Sequence, residues 1–461
     1  MARVTKQKSK TAAQKSSKKK RPSQKRGSSS RSTTRATNRS KNGASSSSAK
    51  SKVVRRRSSG TAPRNGASRS RNKAQKKGAR GVLRQVQDRV FEKGSFLHTG
   101  QIDSTLTALI IVTMLFGLVM LSSASSVQGY QDHQDSYYFL KHQILYGVFL
   151  GGTAFYVMST INYHYWRKYA FAIVVASLIL VVAVFIPGIG LELLGAKRWI
   201  VVGGFSLQPS ELVKVGFLIY LAAWLEKRGR DVEDTHYGFI PFMIMLGILV
   251  LLIAIAQKDL GTTIVIGVIS VVVYFVAGAP VKHLGAMFGG GVAAFLLLVA
   301  IAPYRINRIK AFLDPGADPQ GIGYHVTQSL LAVGSGGFLG VGLGHSRQKF
   351  NYLPEVATDS IFAIVAEELG FLFAAGIVLL FLAITMRALH IAKQAPDQFG
   401  KLLAVGIATW IGFQAFVNIG AMLSLMPLTG ITLPFISYGS SSLITLMAGV
   451  GILANISRKT T

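Results

Sequence analysis

The chain has no cysteine, which excludes disulfides, thiolate zinc sites and cysteine nucleophiles outright. Acidic residues are also scarce: 19 Asp and Glu stand against 51 Lys and Arg in 461 residues, a formal net charge of +32. No acid precedes Asp88, whereas 28 of the cations do, set among Ser, Thr, Ala and Gly with almost nothing large enough to build a core. Such a segment is expected to be disordered. It lacks the short apolar core and small-residue cleavage site of a secretory signal, so residues 1–93 read as a retained cytoplasmic tail. An organellar presequence shares the Arg-rich, Ser-rich, acid-poor composition. The charge of the tail suits membrane lipids with anionic headgroups, or non-specific contact with nucleic acid, and a solvated tail without a partner is the plain alternative.

Beyond Asp103 the composition reverses. Ten apolar runs follow, at roughly 104–126, 141–161, 166–187, 210–226, 239–257, 260–279, 283–303, 361–386, 401–423 and 437–456, each long enough to cross a bilayer as a helix. The expected fold is an all-α polytopic membrane protein, with residues 94–461 as one ten-span domain. An even number of spans puts both termini on one side. With that side cytoplasmic, the short inner connections carry Arg167, Lys168, Lys227, Arg228, Arg230, Lys282, Arg387 and Lys401, as the positive-inside rule requires. The segments 188–209 and 304–360 then fall outside. The latter, between spans seven and eight, is too long for a simple connection and is expected to be a large extracytoplasmic functional loop. Its Arg305, Arg308, Lys310, Arg347 and Lys349 run against the topology rule but suit an anionic ligand.

The glycine run Gly334 to Gly344 fits no nucleotide fingerprint, because Leu339 stands where a third glycine is needed and no Gly-Lys-Ser/Thr follows. Its small residues are expected to permit close packing or a re-entrant turn. Charges at membrane depth are few and should be paired or face a polar cavity: Glu211 and Lys214, Lys258 and Asp259, Glu367 and Glu368. Glu211 and Lys214, three apart, share a helix face as a structural ion pair or a substrate-facing one. Lys258 and Asp259 occupy a tight turn, where such residues often cap helix ends. Asp359 stands just ahead of an apolar run. Spacing alone favours a helix N-cap, but a carboxylate near Glu355, Arg347 and Lys349 in sequence could also serve as a base beside an anionic headgroup.

The motifs AKRWI (196–200), FSLQPSELVK (205–214), QKDLGTT (257–263), FLDPGADPQGIGYHVTQSLLAVGSGG (312–337), GLGHSRQKFNYLPEVATDSIFAIVAEELG (342–370) and TGITLPFISYGSSSL (429–443) resemble the SEDS family of shape, elongation, division and sporulation proteins. The resemblance covers roughly residues 100–457 and is closer to the division and sporulation members than to the elongation ones. It implies a peptidoglycan glycosyltransferase that polymerises lipid II on the outer face of the cytoplasmic (inner) membrane, at the division septum, releasing undecaprenyl diphosphate. The partners it implies are a class B penicillin-binding protein transpeptidase and other divisome proteins. The family's essential acid maps to Asp359 and its polar pair to Glu211 and Lys214. Members commonly read His-Thr-Asp-Phe where this chain has Ala357-Thr358-Asp359-Ser360, so a role for that imidazole does not carry over.

Glycosyl transfer needs a base for the acceptor hydroxyl and cations for the departing diphosphate. Asp359 is the candidate base, and Arg198, Lys258, Arg305, Arg347 and Lys349 are candidates for the diphosphate. Direct displacement at an α-linked anomeric carbon would give a β-linked glycan. Asp359 could instead ligate a divalent cation, magnesium or manganese, that bridges the diphosphate. Two other classes remain: a lipid II flippase, disfavoured by the lack of an inverted repeat and of midplane polarity, and a non-catalytic divisome scaffold, for which Asp359 would be dispensable.

Overall fold

The computed structural model describes residues 100–458 except 194, 195, 203 and 302, so the tail expected over 1–93 lies outside the described residues. Helix α1 is Ser104–Ala124 and α2 is Ser126–His133; α3 covers 138–160 and is interrupted by a π-helical turn at Gln143–Phe149. Then follow α4 (His164–Ala183), α5 (Pro209–Arg228), α6 (Thr235–Ala256), α7 (Leu260–Val276) and α8 (Val281–Ile301). The long stretch after α8 contains α9 (Pro303–Leu313) and α10 (Tyr324–Ser335), and α11 (Ile361–Gln394), α12 (Gln398–Met422) and α13 (Ser440–Ser457) complete the chain. Seven of these, α1, α4, α6, α8, α11, α12 and α13, are long and apolar enough to cross a membrane. Helical segments also occupy the other three positions expected from the sequence: α3 is a succession of short pieces, α5 holds Glu211 and Lys214, and α7 is 17 residues long.

The arrangement of surface and core is that of a membrane protein. Helices α12 and α13 are mostly buried, whereas α4, α6, α8 and α11 display large apolar side chains such as Phe288, 76 % exposed, and Leu379, 63 % exposed. Apolar area of this extent is stable only against hydrocarbon. Aspartates start the helices: Asp103 accepts from Leu106 N at 2.7 Å, Asp259 from Thr262 N at 3.1 Å and Asp397 from Gly400 N at 2.8 Å. At one end of the bundle Asp103 also pairs with Arg387 at 2.6 Å and its amide donates to Ser457 Oγ at 3.0 Å, which ties α1, α11 and α13 together.

The expectation of an all-α fold is corrected at 188–209. There β1 (Gly190–Leu193), β2 (Ala196–Val202) and β3 (Phe205–Leu207) form an antiparallel sheet in that order, with Gly190 opposite Ile200 and Ile200 opposite Leu207. The run Trp199-Ile200-Val201-Val202 is β-branched and aromatic and too short to span, which suits a pleated strand. A second departure lies inside α11. Gly370 leaves the helix at φ 75°, and the backbone of 337–342 fills the break: Val341 N donates to Glu367 O at 3.0 Å, Gly342 N to Glu368 O at 2.9 Å and Phe371 N to Gly337 O at 2.9 Å. The two backbone segments touch, since a Cβ on Gly370 would collide with Gly340 N. The glycine run is therefore a close-packing device, as expected.

Candidate functional site

At the end of the bundle that carries the sheet, four cations from three separate stretches of chain line one cavity of about 280 Å³. Arg198 arrives on β2 and Lys258 from the turn between α6 and α7; Arg305 and Arg308 come from α9, three residues apart and so on one helix face. Backbone carbonyls fix three of them, Arg308 donating from Nη1 to Leu428 O at 2.9 Å. Arg198 donates from Nε to Gln257 O at 2.8 Å and from Nη2 to Lys258 O at 2.6 Å, and buried Arg305 donates to Leu298 O and Ala254 O, each at 2.7 Å. Asp259 also reaches the cavity, where it caps α7 and accepts from Gln208 Nε2 at 3.1 Å. The remaining wall is apolar, with Phe295, Val299, Phe413 and Met426 prominent. Clustered cations beside an apolar wall suit a ligand that is anionic at one end and hydrocarbon at the other.

Asp359 lies beside this cavity. Gly430, in the cavity wall, has no side chain, and a Cβ there would be 3.9 Å from both Arg308 Nη1 and Asp359 Oδ2. Guanidinium and carboxylate thus approach each other across a glycine held at φ 72°, a conformation that itself favours glycine. The N-cap reading of Asp359 is overturned. The cap residue of α11 is Ser360, and no side chain accepts from the first amides of that helix. Asp359 is instead held by its backbone: Asn418 Nδ2 donates to its carbonyl oxygen at 2.7 Å, and two residues earlier Tyr438 N donates to Ala357 O at 2.8 Å. The side chain is buried, with Thr358 Oγ1 3.5 Å from Oδ1. Burial drives its carboxyl up to about 7, Glu355 adds to the rise and Arg308 opposes it.

Glu211 and Lys214 form a buried pair at 2.8 Å inside α5. Lys214 also donates to Gln414 Oε1 at 3.2 Å and lies 4.9 Å from the Trp410 ring, and Thr445 Oγ1 is 3.5 Å from Glu211. The pair therefore joins α5, α12 and α13 and does not line the cavity. Arg347 and Lys349 are likewise placed elsewhere. Lys349 is buried against Glu368 at 3.1 Å and Gly344 O at 2.7 Å, and the Arg347 amide donates to Glu367 Oε1 at 2.9 Å. The two adjacent glutamates of α11 serve to bind the 344–349 loop, Glu368 accepting from Ser123 Oγ as well. Hence Lys349 is committed to Glu368, and neither Arg347 nor Lys349 lines the cavity beside Asp359.

Arg308, Gly430 and Asn418 complete the site without having been singled out by spacing. Arg308 carried a legible signal, three residues after Arg305 on a helix. The others did not, because each acts across more than thirty residues of chain. Among the described residues no three His, Asp or Glu side chains gather to cage a metal. Asp359 with Glu355 nearby nevertheless matches the one or two carboxylates through which magnesium is held when substrate phosphates complete its shell.

Residues 103–461 match the family described as cell cycle protein, which groups FtsW, RodA and SpoVE. The chain belongs to that family. It is 44 % identical over 356 residues to stage V sporulation protein E of Bacillus subtilis, covering 76 % of this chain and 96 % of that one. It is 42 % identical over 357 residues to the probable peptidoglycan glycosyltransferase FtsW of Geobacter metallireducens, covering 77 % and 95 %. Among solved structures, a chain from work on the coordination of polymerization and crosslinking by a peptidoglycan synthase complex aligns with a TM-score of 0.64 at 30 % identity, over 78 % of this chain and 98 % of that one. The rod shape determining protein RodA of Thermus thermophilus aligns with a TM-score of 0.55 at 28 % identity, over 77 % and 97 %. The family and the apolar helices together make this a membrane protein.

Proposed function

We propose that this chain, a peptidoglycan glycosyltransferase of the FtsW kind, polymerises lipid II at the cavity beside Gly430, with Asp359 as the group that accepts the proton of the attacking sugar hydroxyl. The observation that carries the reading is the juxtaposition of a buried carboxylate with Arg308 across Gly430, at the rim of a cavity lined by Arg198, Lys258 and Arg305. A carboxyl held at about 7 is half ionised near neutral pH, the condition in which a base both exists and accepts protons usefully. The four cations are placed to stabilise the negative charge that builds on the departing diphosphate, in a partly apolar enclosure that excludes competing water. The apolar wall suits the polyprenyl chain of the same substrate. A divalent ion held by Asp359, and through it by the diphosphate, would supply further neutralisation of that charge.

The finer topology completes the reading: ten spans, both termini cytoplasmic, and the cavity end facing outward at the division septum. A class B penicillin-binding protein is the partner this placement calls for, since newly polymerised strands need cross-linking, and the synthase complex among the structural relatives supports it. The test is polymerisation in detergent micelles by purified protein with that transpeptidase and labelled lipid II. Micelles have no sides, so a flippase or scaffold would yield no glycan there, whereas a polymerase yields long strands.

A further inference from the structure

We propose that His325 is a positioning residue for this reaction, its imidazole donating from Nε2 to Ser360 Oγ and, through that hydroxyl, fixing the turn that presents the Asp359 carboxylate at the cavity. The proposal rests on the polymerase reading above, and it concerns the segment α9–α10, which no backbone ladder joins to the Asp359 turn among the hydrogen bonds of the described residues.

Ser360 directly follows Asp359. Its Oγ lies 2.8 Å from Pro354 O and 2.7 Å from His325 Nε2. A carbonyl oxygen can only accept and a hydroxyl has one proton, so that proton points at Pro354 and the oxygen accepts from the ring. Nε2 must therefore carry hydrogen. The same serine closes the turn through its amide, which donates to Glu355 O at 3.2 Å. Glu355 sits at φ 52°, a conformation that non-glycine residues hold only when neighbouring contacts impose it.

Two further restraints on the turn come from other elements, Asn418 of α12 to Asp359 O and Tyr438 to Ala357 O. His325 supplies a third, from α10. It couples the carboxylate to the stretch of chain that delivers Arg305 and Arg308. Arg308 acts electrostatically on both His325 and Asp359, and a second cation beside it is disfavoured; burial and that guanidinium hold the imidazole down at about 4, so it is a neutral donor throughout the working range.

A carboxylate displaced by a fraction of an ångström loses rate without losing substrate. Polymerisation should be followed with the purified full chain, its transpeptidase partner and labelled lipid II over a range of concentrations. His325→Phe keeps an aromatic ring but removes the donor, and Ser360→Ala removes the acceptor. Each is expected to lower kcat on the order of tenfold while KM moves by less than about twofold, and the double variant is expected to be no worse than either. His325→Gln places an amide N–H near the Nε2 position and restores most of the rate, with the melting temperature of all four close to that of the starting protein. Wild-type kcat in His325→Phe overturns the proposal. So do losses that multiply in the double variant, or a glutamine as slow as phenylalanine. Failure of the unmutated protein to make glycan would overturn the polymerase reading instead, so the two failures are distinguishable.

Discussion

Asp359 is a carboxylate whose environment opposes its charge. In the unfolded chain it ionises in the ordinary carboxylate range, whereas in the fold it does so at about 7. Because the folded value is the higher one, the protonated form is favoured by folding, and the stability gained from it is lost as pH rises through 7. Asp359→Asn cannot ionise and is spared this loss. Its melting temperature is therefore expected to exceed that of the unmutated protein by a margin that widens from about pH 4 to about pH 7 and levels off above that. Activity runs the opposite way: the base form grows on the same rise, so the polymerisation rate should climb through pH 7 with a single ionisation. If the carboxylate works by holding a divalent ion, higher magnesium shifts that limb to lower pH, since the metal competes with the proton. Arg308 favours the ionised form of Asp359. Arg308→Gln should consequently move the limb to higher pH and also raise KM, as one of the cations at the cavity is lost. An unmoved limb would place Arg308 away from the carboxylate.

At the scale of elements, the sequence was informative where the signal is local and blind where two distant segments meet. Apolar runs located the helices, and the three-residue spacing of Glu211 and Lys214 foretold their pairing, now seen at 2.8 Å. Removing one partner strands a buried charge at a cost of about 3–5 kcal/mol, while removing both costs less, so a double-mutant cycle on melting temperature should show strong non-additivity. The break in α11 was invisible. Gly370 stands in an apolar run that reads as an uninterrupted span, and the backbone that fills the break comes from Gly337 to Gly342, some thirty residues earlier. A side chain at Gly370 meets both a positive φ and the Gly340 amide. Gly370→Ala is expected to destabilise by at least about 2–3 kcal/mol and to be recovered in lower yield from membranes. The strands at 190–207 lie in the segment 188–209 that the sequence placed outside the spans, and they were missed because short strands between two spans carry only a weak local signal beside the strong apolar runs that flank them. The cap reading of Asp359 failed because capping depends on side-chain direction, which spacing does not encode.

For the whole molecule, the absence of cysteine offers a direct probe of topology. Single cysteines can be introduced without background labelling. In intact cells an impermeant maleimide is expected to label Asn351→Cys, in an exposed turn at the cavity end, and to spare Lys393→Cys near the end of α11. The reverse pattern would invert the proposed orientation. The basic segment 1–93 should then be cleaved by protease in inside-out vesicles and protected in intact cells.

The central claim is that Asp359 performs chemistry, and the most direct measurement is glycan synthesis from labelled lipid II by purified Asp359→Asn with its transpeptidase partner. Asparagine preserves the size of the side chain and leaves the backbone bonds to Asn418 and Tyr438 in place, while removing basicity and anionic metal affinity. The account predicts a protein that inserts, melts no lower than the unmutated one, binds its partner and makes no glycan strand. Polymer at near wild-type rate would contradict it.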